Sequence, residues 1–206
     1  TIAGSPGVND NGSGVAATLA IARALVGTKP MRTIRLVFFV NEEPEFFLTP
    51  NMGSYVYAKA CADKHEDIVG MISLETLGYY TDAPNSQQYP MKPIAWIYPD
   101  TGNFAAFVGD FSSRSWVKRM IRTFRHHGRI PTEGIATFQG IPGIAWSDHW
   151  SFWQFGYNAL MVTDTAPNRY PEYHTTADLP DELDFDRMAL VVSGLVASLS
   201  EILNAP

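Results

Sequence analysis

The run Thr33-Ile34-Arg35-Leu36-Val37-Phe38-Phe39-Val40, followed at once by Asn41-Glu42-Glu43, decides how the rest of the chain is read. Residues 33–40 are almost continuously β-branched, aliphatic or aromatic, which predicts a short strand buried on both faces. Strands of that kind belong to mostly parallel sheets covered by helices, and functional side chains gather just beyond their carboxyl ends. Upstream, residues 14–26 place Val15, Leu19, Ala22 and Val26 at helical spacing, with Gly27 as a stop and Pro30 barring continuation. Downstream, the pattern predicts a helix over 52–64, strands over 67–75 and 93–98, and a helix over 112–127 with Val117, Ile121 and Phe124 on one face. Strands over 133–138 and 157–163 follow, then a closing amphipathic helix near 184–203 with Asp184 or Asp186 in its first turn. The polar stretch 81–92 (TDAPNSQQYPMK) reads as an exposed loop. The alternation predicts an α/β fold: a three-layer αβα sandwich around a mostly parallel mixed sheet.

Composition narrows the function. At 206 residues, 46% of them hydrophobic, the chain suits one domain with one sizeable core. Fifteen Lys and Arg against 21 Asp and Glu give a formal charge of −6, without the basic stripe of a general nucleic-acid binder. The single cysteine, Cys61, excludes an internal disulfide and a cysteine-based zinc cluster, and its apolar helical setting predicts an inert buried thiol. No uncharged apolar run approaches the roughly 20 residues that span a bilayer. The opening Thr1-Ile2-Ala3-Gly4-Ser5-Pro6-Gly7 lacks the basic start and apolar stretch of a signal peptide.

The predicted strand ends share a chemistry. Strand 33–40 runs into Glu42-Glu43, strand 67–75 ends in Glu75, and strand 157–163 leads to Asp164 and then Tyr173-His174. Asp10 precedes the first helix within Asn9-Asp10-Asn11-Gly12-Ser13-Gly14. Each has an ordinary reading: Asp10 as a helix cap, Glu42-Glu43 as a solvated pair, Glu75 as an exit to solvent, His174 as a loop histidine. Together at one end of one sheet they would repel unless a cation answered them. Imidazole and carboxylate are the usual ligands of catalytic zinc, which keeps a position open for water.

The ordered set Pro6 to Gly14, Asn41-Glu42-Glu43, Ser73 to Tyr80 (SLETLGYY), Ser147-Asp148-His149 and Tyr173-His174-Thr175 resembles the co-catalytic zinc aminopeptidases. Bacterial secreted leucyl-type aminopeptidases belong to that family, and glutamate carboxypeptidase and glutaminyl cyclase are relatives. The resemblance implies a zinc-exopeptidase-like fold and an aminopeptidase acting on peptides. It implies that Asp10 bridges two zinc ions, that Glu43 and His174 complete one ion's protein ligands, and that Glu75 serves the other. By the same resemblance Glu42 is the general base, Tyr173 steadies the oxyanion, and Asp148 and Asp178 orient groups around the ligands. The family also carries an upstream strand ending in His-x-Asp. None of the five histidines (His65, His126, His127, His149, His174) precedes Asp10, so the expectation is a catalytic domain over 1–206, incomplete at its N-terminus. One zinc or none is then expected where the intact family site holds two. The exposed sheet edge would be covered by the missing N-terminal segment or by a second copy. A secreted or periplasmic location follows from the resemblance alone.

Other patterns carry less. Ser147-Asp148-His149 holds triad residue types, but triads assemble in space rather than by adjacency. Asn11-Gly12-Ser13 matches a glycosylation acceptor beside a ligand aspartate, and Gly4 to Gly14 lacks the Lys-Ser/Thr ending of a phosphate loop. Trp146, Trp150, Phe152, Trp153 and Phe155 cluster around Asp148, mostly as core, with some available to line a pocket for an apolar side chain; Phe46 and Phe47 are candidates for the same wall. Two rival functions are a glutaminyl cyclase-like acyltransferase holding one zinc through Asp, Glu and His, and a metal-free binding domain on the same fold, as in transferrin receptor. Tyr173, where the cyclase pattern has Trp, weighs against the first. The retained Glu42 weighs against the second.

Overall fold

The computed structural model describes residues 2–205. Four strands form one sheet: β1 (Met71–Glu75), β2 (Ala105–Asp110), β3 (Thr132–Thr137) and β4 (Ala159–Thr163), in the order β1-β4-β2-β3. β1 pairs with β4 and β2 with β3 in parallel, while β4 runs antiparallel to β2. The sheet is thus mixed with parallel pairings in the majority, as the alternation predicts.

Helices cover both faces. On one lie α1 (Gly14–Leu25), α4 (Arg114–His127) and α6 (Phe185–Leu203), burying Phe107, Phe124, Met120, Leu160, Val162, Val191 and Leu195 between them and the sheet. On the other lie α2 (Gly53–Asp63) and α5 (His149–Trp153), whose own Phe152 and Trp153 pack with Ala106, Val108 and Met161 of the sheet. Cys61 is a free, buried thiol. α4 keeps its apolar side inward and carries Arg125, His126 and His127 in its last turn, where cations suit the helix dipole. Asp184 caps α6 by accepting from the Arg187 N–H at 2.9 Å. Among the described residues no helix is long and apolar enough to cross a membrane.

Two sequence expectations fail here. The run 93–98 is not a strand. Lys92–Ala95 forms a short helix, α3, with Pro93 at its start, and Trp96 stays 79% exposed. Proline's fixed φ and missing N–H suit a helix's first turn and disfavour a central strand. The strand in that part of the chain is β2, whose Ala105-Ala106 and Gly109-Asp110 carry little intrinsic strand preference. It forms because tertiary partners flank it on both sides.

The decisive run 33–40 also departs from expectation. It joins no ladder, and Phe38 and Val40 are 51% and 67% exposed. Phe39 packs on Tyr57 and Phe152, and the Val40 carbonyl accepts from the Gly53 N–H at 2.9 Å, which tie the segment to α2 and α5. A cleft of about 1350 Å³, lined by residues 31–46 on one side and 66–75 on the other, separates it from β1. β1 is therefore an edge strand, and its own ladder begins at Met71 rather than at 67. A strand exists only where a neighbouring backbone accepts its N–H groups, and the cleft removes that neighbour.

Candidate metal centre

Three of the candidate residues converge. Asp10 Oδ2 lies 2.9 Å from His174 Nε2, Glu43 Oε2 lies 3.9 Å from the same nitrogen, and one donor atom from each falls within 4.8 Å of the others. Asp10 is 4% exposed, and its Oδ2 has no hydrogen-bond partner among the described residues despite the close imidazole. Buried polar atoms are rarely left so. Two oxygens and one nitrogen aimed at a common point, with one oxygen orphaned, form a donor set that suits zinc.

Local backbone geometry explains how the chain presents them. Asp10 sits in the tight segment Val8–Ser13, entered through Gly7 in the left-handed region and closed by the Gly12 N–H donating to the Gly7 carbonyl at 2.9 Å. Asp178, fully buried, clamps this segment: its Oδ1 accepts from the Asn9 N–H at 2.8 Å and its Oδ2 from the Asp10 N–H at 3.1 Å. Tyr170 donates to the same Oδ1 at 3.1 Å. Asn41, Thr76, Thr165 and His174 all have positive φ. They adjoin Glu42, Glu75 and Asp164, or are themselves in the cluster. Non-glycine residues held there carry strain that persists at functional sites.

Around the cluster stand more carboxylates. Glu42 faces the large cleft with Glu43, Glu75 and Asp148. Burial first, then the negative charges of Asp148, Glu43 and Asp10, push the Glu42 carboxyl up to about 8. Burial and Glu43 likewise raise Asp10, burial and Glu42 raise Glu75, and burial lifts Asp148 to about 6 against a Ser54 hydroxyl that opposes the rise. Carboxylates gathered this closely cannot all ionise without a cation. The Tyr173 ring stacks on His174 at 3.9 Å between centroids, and burial followed by the Asp10 and Glu75 charges raises its hydroxyl pKa. That hydroxyl stays a proton donor at neutral pH.

Not every strand-end group joins the cluster. Glu75 stands beside it: Ser147 Oγ donates to its Oε2 at 2.8 Å and Asn11 Nδ2 at 3.3 Å. Asp164 turns inward, accepting from Asn9 Nδ2 at 3.0 Å and the Tyr79 N–H at 2.8 Å. It braces the Asp10 segment rather than adding a donor. Ser147, which holds Glu75 and bonds Ser73 Oγ at 2.8 Å, has no distinguishing sequence signal beyond its place before Asp148-His149. Of the aromatic candidates, Trp146 lines a pocket beside Glu75 and Tyr173 and Phe46 lines the cleft, while Phe152 and Trp153 belong to the core.

Comparison with known proteins bears on family and fold. A sequence model described as Peptidase family M28 matches residues 1–198. An Escherichia coli (strain K12) protein named uncharacterized protein YfbL is 40% identical over 195 residues, covering 95% of this chain and 59% of its own length. Leucine aminopeptidase 1 of Aspergillus oryzae is 26% identical, covering 91% of this chain and 44% of its own. The structure of BSAP, a zinc aminopeptidase from Bacillus subtilis, superposes over 99% of this chain and 44% of its own with a TM-score of 0.74 at 19% identity, which is a likeness of fold. The chain spans about half the length of the curated relatives it matches.

Proposed function

The chain belongs to peptidase family M28, and on that premise we propose that it forms the zinc-binding core of an exopeptidase that removes the first residue of peptides. The observation that carries this reading is the buried, orphaned Asp10 Oδ2 at 2.9 Å from His174 Nε2, with Glu43 within reach. Asp10, Glu43 and His174 would hold one ion. When bound there, zinc lowers the pKa of water to about 7 and polarises a substrate carbonyl. Glu42, beside Glu43 at the cleft wall and ionised once a bound cation offsets the charges that push its carboxyl up, would accept the proton of the attacking water and pass it to the leaving amine. Tyr173, kept protonated and stacked on His174, donates to the oxygen that gains charge in the transition state. With a cation in place to let them ionise, Glu42 and Glu75 would supply the negative charge that a substrate's free amino terminus calls for, which favours an aminopeptidase over a carboxypeptidase.

Glu75 lacks an imidazole partner among the described residues, so one tightly held ion is expected rather than two. The cleft beside β1 bears on this. The cleft lies along the unpaired edge of β1 between it and residues 33–40, where a further strand could pair. We propose that it receives a strand from outside residues 1–206 rather than a second copy, since the chain spans about half of its relatives. A stable dimer in light scattering would overturn that choice.

The test of function is metal binding followed by turnover. The purified chain should retain close to one zinc after dialysis, His174→Ala should lose it, and the zinc form should cleave aminoacyl arylamides rather than cyclise a glutaminyl peptide. A wild-type protein that binds no zinc would refute the reading.

A further inference from the structure

A pocket of about 100 Å³ opens beside Glu75 and Tyr173 and runs across the sheet, away from the Asp10 cluster. Its floor is fixed by strand register. Glu75 of β1 pairs with Thr163 of β4, Thr163 with Ala106 of β2, and Ala106 with Glu133 of β3. Residues directly opposed on adjacent strands point to the same face, and all four of these line the pocket. They therefore form one row with a carboxylate at each end and two short side chains between. Three strand spacings place those ends about 14 Å apart. Tyr89, Tyr98, Ile144 and Trp146 wall the trough.

Glu75 and Glu133 are the only acidic residues lining it among the described residues, and no lysine or arginine lines it. Glu133 faces inward: it lines the pocket on the same face as Ala106, and its charge adds to the burial that raises the Tyr89 and Tyr98 hydroxyls. Its one ion-pair partner among the described residues, Arg125, stands 3.7 Å off and is more than half exposed. Such a pair is weak, and a carboxylate has about four acceptor sites, so Glu133 keeps capacity for another donor. The cation behind the wall, Arg169, lies 4.5 Å over the Phe104 ring and is answered by buried Asp164. It donates to Gln87 Oε1 at 2.8 Å and to the Phe104 carbonyl at 2.9 Å.

We propose that Glu133 is a specificity-determining residue: the trough takes the side chain of the substrate's first residue, and Glu133 accepts the cationic tip of lysine or arginine. This rests on the exopeptidase reading above. A lysine or arginine side chain extends on the order of 6 Å from its α-carbon, and a hydrogen bond of about 3 Å plus the roughly 4 Å reach of the Glu133 side chain span most of the remainder, so an α-carbon held beside Glu75 and Tyr173 brings the tip within reach of Glu133. Leucine is too short to reach it, and norleucine fills the apolar stem without pairing the carboxylate.

The experiment compares arginyl, lysyl, norleucyl and leucyl arylamides on the zinc-loaded wild type and on Glu133→Gln. Binding of arginine amide and norleucine amide is followed in parallel through tryptophan fluorescence, since Trp146 lines the trough. A charge-assisted contact predicts kcat/KM for arginine about 10–100-fold above norleucine, with Glu133→Gln removing that margin and leaving norleucine within about twofold. Cleavage of norleucyl arylamide without any cation preference, or equal losses on both substrates in the variant, would overturn the proposal while sparing the exopeptidase reading. If no arylamide turns over, a Glu133-dependent preference for arginine amide in binding sustains the trough assignment while the hydrolytic reading falls. Absence of that preference overturns the trough assignment as well.

Discussion

Replacing Asp178 by asparagine tests whether the Asp10 segment is held as described, without needing any metal. Asp178 is fully buried and its two oxygens accept three bonds, from the Asn9 N–H, the Asp10 N–H and the Tyr170 hydroxyl. Asparagine keeps the shape but turns one oxygen into a donor. Whichever way its amide points, a donor then faces a backbone N–H. A hydrogen bond to a charged group contributes about 1.5–3 kcal/mol, and a buried donor left unpaired costs about 1–3 kcal/mol. One opposing effect exists, because the Asp178 charge raises the Asp10 carboxyl and its removal eases that repulsion. It is the last of five influences on Asp10, so bond loss dominates. The expected destabilisation is about 2–4 kcal/mol, read from urea unfolding in the presence of a chelator. Zinc affinity should fall about 10–100-fold in the same variant, the usual consequence of losing a group that orients a ligand. A variant as stable as the wild type in chelator would show that the clamp on Asn9 and Asp10 does not exist.

Two further outcomes can be measured. Burial depresses His149 to about 4 from its ordinary 6.5, its Nε2 lying 2.8 Å from the Ile144 carbonyl, so the folded state favours the neutral ring. That contribution is full above pH 6.5 and fades as pH falls through about 4. Asp148, raised to about 6, acts with the opposite sign over nearly the same window, so the informative quantity is the stability difference between wild type and His149→Gln. That difference should shrink by about 3 kcal/mol between pH 7 and pH 4, at about 1.4 kcal/mol per unit of pKa; a flat difference would contradict a buried neutral ring. Gly14→Ala should destabilise by about 3 kcal/mol in thermal or urea melts, the upper end for overpacking. The added Cβ would meet the Leu74 carbonyl oxygen at 2.2 Å and Asn11 Oδ1 at 2.4 Å, whereas in an open helix the same change would stabilise.

Much of the architecture is legible before any coordinates. α1, α2, α4 and α6 lie within a few residues of their predicted spans, α4 and α6 on amphipathic periodicity and α1 on its Gly27 and Pro30 stops. β4 follows from a short apolar run, while β3 lies within one residue of its expected span although only Ile135 and Ala136 in it are apolar. β2 escapes because alanine, glycine and aspartate give no strand signal, and 93–98 deceives because apolar content is read without weighing Pro93. The candidate residues are likewise visible as acids and a histidine at strand ends, yet nothing local separates Asp164, turned inward to brace Asn9, from Asp10, turned toward His174.

Residue order alone identifies the chemical cast and the α/β alternation, because both depend on composition and on periods of a few residues. Folding in three dimensions selects which acids meet one imidazole, places Ser147 and Asp178 behind them, and lines Glu75 and Glu133 along one row of the sheet. It also leaves 33–40, strand-like in every local respect, without a ladder. Those outcomes depend on contacts between residues far apart in the chain, and a strand above all is a property of two backbones rather than one.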